Sequence, residues 1–239
     1  MSDVLRISLA GKTWPAVAGR APQPVLGPIE LSIEAGSFVA ITGPSGCGKS
    51  TLLNIVAGLD HAYAGDVQFH PPDQHITYVF QNPRLLPWRT VAQNIALALP
   101  EGDARVQSIP DLLDSVGLAG AGDAYPERLS LGMQRRVALA RGFASEPDVL
   151  LMDEPFVSLD DPTAEALRRL LIALWRRRPT TVLFVTHDRA EAVMLATRIL
   201  RLGGSPATVV ADDRVALSST SRGDRGAVID EQRRIFGTA

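Results

Sequence analysis

The sequence predicts an α/β fold: a mostly parallel, helix-covered sheet, an antiparallel β extension near its start, and a helical insertion within the core. Three observations predict it. Short apolar runs of strand length alternate with longer amphipathic stretches, as in β-α units whose strands are buried on both faces. The first runs follow one another with few helices between them, which suits antiparallel pairing. From about Asn82 to Gly132 there are helical patterns and no convincing strand.

The elements follow in order. Val4–Leu9, Ile29–Ile33 and Phe38–Thr42 are apolar runs of strand length, and the Pro- and Gly-rich stretch Gly11–Pro28 between the first two reads as irregular. Lys49–Ala57 continues a glycine-rich loop as a helix. Val67–Phe69 is a strand within Asp66–Pro72, whose polarity and terminal Pro suit an edge or hairpin. Ile76–Phe80 is the next strand. Thr90–Leu99 opens on a capping residue and stops at Pro100, and Asp111–Val116 is a short amphipathic piece. Leu131–Ala144 has apolar residues at helical spacing, with Arg135, Arg136 and Arg141 on other faces. Then come strand Val149–Asp153, helix Pro162–Arg177 with Pro where a first turn tolerates it, and strand Thr181–Val185. Helix Asp188–Ala196 and strands Ile199–Leu202 and Thr208–Val210 complete the core. We expect one domain over residues 1–214, with a helical subdomain at about 82–132, and a polar tail over 215–239 whose one apolar pair is Ile235–Phe236.

Composition narrows the function. With 239 residues, the chain suits one large α/β domain. A formal net charge of −2 creates no field that would draw nucleic acid. The lone cysteine, Cys47, rules out an internal disulfide. Met1–Arg20 has no apolar stretch behind a basic start, so no secretory signal is expected. No run approaches the roughly 18 apolar residues of a membrane span. Work at a membrane would therefore need spans from another chain.

The strongest motif is Gly43-Pro44-Ser45-Gly46-Cys47-Gly48-Lys49-Ser50-Thr51, a full match to G-x-x-x-x-G-K-[ST] between a strand and a helix. Glycines let backbone N–H groups turn inward around phosphate oxygens, and the helix N-terminus adds positive potential there. Lys49 supplies a charge for the β and γ phosphates. Ser50 offers a hydroxyl to Mg²⁺, which takes oxygen ligands. These residues point to a nucleoside triphosphate with Mg²⁺ bound on a phosphate-loop NTPase core; ATP itself enters with the resemblance below.

Val149–Met152 is apolar, yet the run ends in Asp153 and Glu154. Adjacent carboxylates at the end of a buried strand are explained when metal and a nucleophilic water lie nearby. Asp153 suits the metal and Glu154 suits a general base. Gln81 and His187 each follow a strand, where ligands of open α/β sheets bind. Each could bond a phosphate oxygen or water without adding a competing negative charge. Alone, each residue reads better as a solvated loop side chain; the wider constellation changes that.

Together these residues resemble the nucleotide-binding subunit of ATP-binding-cassette (ABC) transporters, over roughly Leu5–Leu202. The segment Leu129-Ser130-Leu131-Gly132-Met133-Gln134-Arg135-Arg136-Val137-Ala138-Leu139-Ala140-Arg141 looks like that family's signature, with Leu131 where a second glycine is usual. Ser130 also reads as an ordinary helix N-cap, and the two uses are compatible. The resemblance implies that the loop, Lys49 and Ser50 hold phosphates and Mg²⁺, that Asp153 supports the metal and that Glu154 is the base. It further implies that Gln81 senses metal and water and that His187 contacts the γ-phosphate. Two copies would close head to tail, so that Ser130, Leu131, Gly132 and Met133 act on the nucleotide of the other copy and Asp160 communicates across the homodimer. Trp14, ahead of the loop, is the candidate for stacking on adenine.

Gln81-Asn82-Pro83-Arg84-Leu85-Leu86-Pro87-Trp88-Arg89-Thr90-Val91 places an aromatic, apolar surface directly after Gln81. It either covers the helical part's own core or docks a membrane-subunit helix, with Trp88 as anchor. Its Leu-Leu-Pro-Trp string looks like the nitrate, sulfonate and taurine group of importers. That resemblance implies an ATPase that is peripheral at the cytoplasmic face of the inner membrane. Its partners would be a transmembrane permease subunit and, indirectly, a periplasmic or lipid-anchored substrate-binding protein. No nucleic-acid partner is expected. Two other readings stay open: a non-transport ABC ATPase, and an ATP-binding interaction subunit that Leu131 makes slow to hydrolyse.

Overall fold

The computed structural model describes residues 3–16, 19, 21–178, 180–218 and 220–237. In chain order the strands and helices are β1 (Asp3–Trp14), β2 (Gln23–Leu26), β3 (Ile29–Glu34), β4 (Phe38–Thr42), α1 (Lys49–Val56), β5 (Ala64–Phe69), β6 (Ile76–Val79), α2 (Val91–Ala96) and α3 (Ile109–Ser115). There follow α4 (Leu131–Ala144), β7 (Val149–Asp153), α5 (Asp161–Arg177), β8 (Thr181–Val185), α6 (Arg189–Leu195), β9 (Arg198–Gly204), β10 (Ala207–Arg214) and α7 (Arg225–Phe236). They form two compact units, one of Met1–Gln74 with Thr180–Ala239 and one of His75–Pro179.

In the first unit, β1 is the axis of the antiparallel part. It pairs with β3 through Leu5↔Ile33, Ile7↔Leu31 and Leu9↔Ile29, and with β5 through Leu5↔Phe69 and Ile7↔Val67. Leu5, Ile7 and Leu9 are buried while Arg6 and Ser8 face outward, the period-two pattern of a sheet with one covered face. Past Leu9 the strand changes partner and pairs with β2, through Lys12↔Leu26 and Trp14↔Gln23. The parallel part centres on β4, which lies between β8 and β9 through Ala40↔Phe184 and Ala40↔Ile199. Every residue of β4 and β8 is buried, and Phe38 meets Phe184 edge to face at 5.4 Å. Their near-continuous apolar character is what burial on both faces demands.

In the second unit, β6 and β7 pair in parallel, with Tyr78↔Leu151 and Val79↔Met152. Helix α4 packs on β6 and against α2, α3 and α5. Helix α5 buries Ala164, Leu167, Leu171 and Leu174, one stripe at helical spacing. It is capped by Asp160 and carries Pro162 in its first turn.

The structure differs from expectation at several places. β1 runs to Trp14 rather than Leu9, because Lys12 is buried against Asp60 at 2.7 Å and keeps a polar stretch in the sheet. β2 lies inside the stretch expected to be irregular. Residues 17, 18 and 20 of that stretch are outside the described residues. The tail contains α7, twelve residues long. Only Val228, Glu231 and Ile235 of that helix are buried, so charged residues mask its apolar face in the sequence.

Candidate functional site

Strand β4 ends at buried Thr42 and the chain turns through the glycine-rich loop into α1. Two of its glycines have no substitute. Gly43 has φ 149°, and a Cβ there would lie 2.5 Å from the Leu202 carbonyl oxygen. Gly48 has φ 103°, and a Cβ there would meet Leu26 and Val25 at 2.8 Å. Gly48 is also the N-cap of α1 and contributes no side chain, and the first turn holds no acidic residue. The N–H groups at the positive end of α1 therefore have no side-chain acceptor from the cap, the donor set that a phosphate chain fits. Lys49 is buried and folds its ammonium over the loop, donating to the carbonyls of Gly43 at 3.0 Å and Pro44 at 2.9 Å. Pro44, Ser45, Gly46 and Ser50 are exposed, Cys47 is half-buried and Thr51 is buried behind them.

His187 follows β8, next to β4 in the same unit, so it and the phosphate loop lie at the carboxyl ends of adjacent parallel strands. Its side chain is exposed, but its turn is held on both sides. The buried Thr186 hydroxyl donates to Glu191 at 2.7 Å and accepts the Asp188 N–H at 3.0 Å. Asp188 caps α6, accepting from the N–H groups of Ala190 and Glu191 at 2.7 and 3.2 Å. Trp14, also in this unit, ends β1 and is 43% exposed, with the Lys12 ammonium 4.4 Å from its ring centre.

In the second unit, Gln81, Asp153 and Glu154 gather at the carboxyl ends of β6 and β7. β7 is buried as far as Met152, and Asp153 is half-buried. Glu154 has φ 43°, a left-handed conformation that costs a residue with a Cβ, and such strain collects at functional sites. The Gln81 amide donates to the Glu154 carboxylate at 3.5 Å. Tyr78 hydrogen-bonds Asp153. Burial, then the charge of Asp153, pushes its hydroxyl well above the ordinary value, so it stays a donor. Tyr78 stacks on Phe80 at 4.3 Å, and the Arg84 guanidinium covers Phe80 at 3.6 Å. Arg141 donates to the carbonyls of Arg84 at 3.0 Å and Pro83 at 2.8 Å, which fixes the chain after Gln81. Asn94, fully buried, accepts from the Leu86 N–H at 2.7 Å and donates to the carbonyls of Leu86, Arg89 and Thr90. Trp88, on the loop so pinned, is 69% exposed.

Ser130 is the N-cap of α4, its hydroxyl accepting from Met133 N–H at 3.3 Å. Leu131 is 43% exposed at the first helical position. Gly132 is buried, and a Cβ there would meet Thr163 at 2.6 Å, so the glycine lets α4 approach the start of α5. Asp160 caps α5 by accepting from Thr163 N–H at 3.3 Å, and Thr163 holds its carboxyl below the usual range.

Sequence reasoning missed Tyr78, Asn94 and Glu191, and placed Arg141 on its helix without seeing what it holds. Only Glu191 had a signal: it stands one helical turn after His187. The others act through strand register or loop closure, which their immediate neighbours do not encode.

A family model described as ABC transporter matches residues 26–157. The chain is 46% identical to the aliphatic sulfonates import ATP-binding protein SsuB 1 of Pseudomonas savastanoi, over 82% of this chain and 81% of that protein. It is 48% identical to SsuB of a Mycobacterium species, over 90% of this chain and 86% of the relative. Among solved structures it is similar to the ATP-binding cassette MJ0796 in a dimeric post-hydrolysis state bound to ADP and Pi. The TM-score is 0.76 and the identity 30%, covering 90% of this chain and 100% of that one.

Proposed function

This chain belongs to the ABC transporter family as a subunit that binds and hydrolyses ATP, and from that premise we propose that it powers import of a small organic anion of the aliphatic sulfonate class through a separate membrane subunit. The phosphate loop carries the energetic half of this reading: its glycines, Lys49 and the uncapped N-terminus of α1 converge on one anion site. The likeness to sulfonate-import ATP-binding proteins carries the solute class. A non-transport role is the less favoured reading, because those relatives are importer subunits.

In this reading, residues Gly43–Thr51 hold the phosphates and Trp14 stacks on adenine. Ser50, Gln81 and Asp153 would hold Mg²⁺, their hydroxyl, amide and carboxylate oxygens suiting a hard cation, and the metal would supply neutralisation of phosphate charge. Glu154 takes the proton from the water that attacks the γ-phosphorus, Gln81 orients that water, and His187 contacts the departing phosphoryl oxygens. Ser130, Leu131, Gly132 and Met133 complete the site of a second copy in a head-to-tail homodimer, with Asp160 relaying between the two. Residues 1–214 are the nucleotide-binding domain, about 82–132 its helical subdomain and 215–239 a tail. The chain sits peripherally on the cytoplasmic face of the inner membrane, and a substrate-binding protein delivers the solute to the permease.

The test is reconstitution. The chain should capture one multi-span protein on co-purification, and vesicles containing both should accumulate an alkanesulfonate only when ATP is hydrolysed. Capture of no multi-span protein, or uptake indifferent to ATP, would sink the reading.

A further inference from the structure

We propose that the C-terminal segment is a positioning device for the His187 turn: Arg222, three residues before α7, and Phe236, the last residue of α7, grip the two ends of α6, and α6 sets the turn. The proposal rests on the reading of His187 given above and adds what holds that residue in place.

Helix α6 begins two residues after His187 and is seven residues long, too short to be stable without packing. Its side of β4 supplies one surface and α7 the other. The C-terminal end has no basic residue of its own. Arg222 supplies one, donating to the carbonyls of Val193 at 3.1 Å and Met194 at 2.9 Å. Those carbonyls are among the last of the helix and have no intrahelical partner, and a cation there also suits the helix dipole. At the other end, the Phe236 ring lies 5.3 Å from the guanidinium of Arg189, the first residue of α6, and 5.8 Å from that of Arg201 on β9. Both distances lie within cation–π range.

The grip has its own anchor. Val228 and Ile235 are buried, and buried Glu231 accepts from the Ala216 N–H at 2.6 Å and from Arg234 at 2.7 Å. Arg234 also donates to the Arg214 carbonyl at 2.7 Å. The chain of contacts therefore runs from the anchored tail to Arg189, through the first turn of α6, and into Asp188, Glu191 and Thr186, which bracket His187. A group that must meet a phosphoryl oxygen in one geometry gains from such bracing, because small misplacements cost rate without costing affinity. Arg222 and Phe236 are positioning residues that act through α6.

The full-length chain tests this with two pairs of variants. Phe236→Leu keeps apolar volume and removes the ring, and Phe236→Tyr keeps the ring. Arg222→Gln removes the cation, and Arg222→Lys keeps it. Phe236→Leu and Arg222→Gln should each lower kcat for ATP hydrolysis about fivefold, the worth of an exposed cation–π or helix-end contact, with Kd for ATP unchanged by calorimetry. Amide exchange at Ala190 and Glu191 should quicken in both, and Phe236→Tyr and Arg222→Lys should recover most of the rate. Wild-type kcat in both damaging variants would overturn the proposal. So would equal loss in Phe236→Leu and Phe236→Tyr, or a kcat loss that comes only with lost ATP binding and a collapsed Tm. His187→Ala, measured alongside, separates the two claims. If it keeps wild-type kcat, the role of His187 has failed; if it is slow while the tail variants are not, only the grip has failed.

Discussion

Glu154 stands at the end of an apolar strand and in a left-handed backbone conformation, with φ 43°. That conformation costs on the order of 1 kcal/mol for a residue with a Cβ. The buried run Val149–Met152 holds the chain so firmly that the cost is met, and the carboxylate is delivered to within 3.5 Å of Gln81. An amide in place of the carboxylate keeps the size and the turn but takes no proton. Glu154→Gln should therefore keep ATP affinity and lower turnover about 10²- to 10⁴-fold, the usual worth of a general base. The ATP-loaded variant should run as a dimer on light scattering, because hydrolysis no longer releases the pair. Turnover equal to wild type would contradict the role of Glu154. The same scale explains Leu131. Ser130 keeps its capping bond to Met133 and Gly132 its packing role, so the leucine changes what the turn exposes and not how α4 begins.

Among the elements, α7 is anchored through one ionised side chain, Glu231. The Arg234 hydrogen bond, working against burial, and the Ala216 N–H hold the Glu231 carboxyl below the ordinary glutamate value. A carboxyl depressed in the folded state adds stability above its unfolded pKa of about 4.3 and loses it as pH falls through the folded value. The anchor of α7 is therefore complete at neutral pH and fades below about pH 4.3. Glu231→Gln should lose about 2 kcal/mol at pH 7, the worth of hydrogen bonds to a charged group. Melting curves should show that gap narrowing as pH falls below about 4.3; a gap of constant size would show that ionisation of Glu231 does not hold the helix. Helix α2 makes a contrast, since its start rests on a neutral capping box of Thr90 and Gln93 and on Asn94.

At the scale of the whole molecule, no helix among the described residues is long and apolar enough to cross a membrane. Trp88 is the exposed aromatic on the loop that Asn94 and Arg141 pin after Gln81. As an anchor for a permease helix, Trp88→Ala should weaken co-purification of the multi-span subunit by about tenfold or more in affinity while ATP binding by the chain alone is unchanged. Undiminished capture would remove Trp88 from the interface. The strand ends and turns that carry the candidate site were legible from contiguous residues. The loop Gly43–Thr51, the strand ends at Asp153 and Glu154, and the turn at Ser130 each carry their backbone demands and reactive groups within a few positions, so local sequence suffices. The α/β alternation was legible for the same reason, because β4 and β8 are apolar throughout. Register and long-range contact were decided only on folding. Gln81 and Glu154 meet across 73 residues because β6 and β7 pair with Val79 beside Met152. The long β1 persists because Asp60 neutralises buried Lys12, 48 residues away. Helix α7 hid behind its charges until Glu231 and Ile235 found surfaces to bury against. Each of these depends on which distant segments become neighbours, and that is set by the packing of the whole core, not by any residue's own propensity.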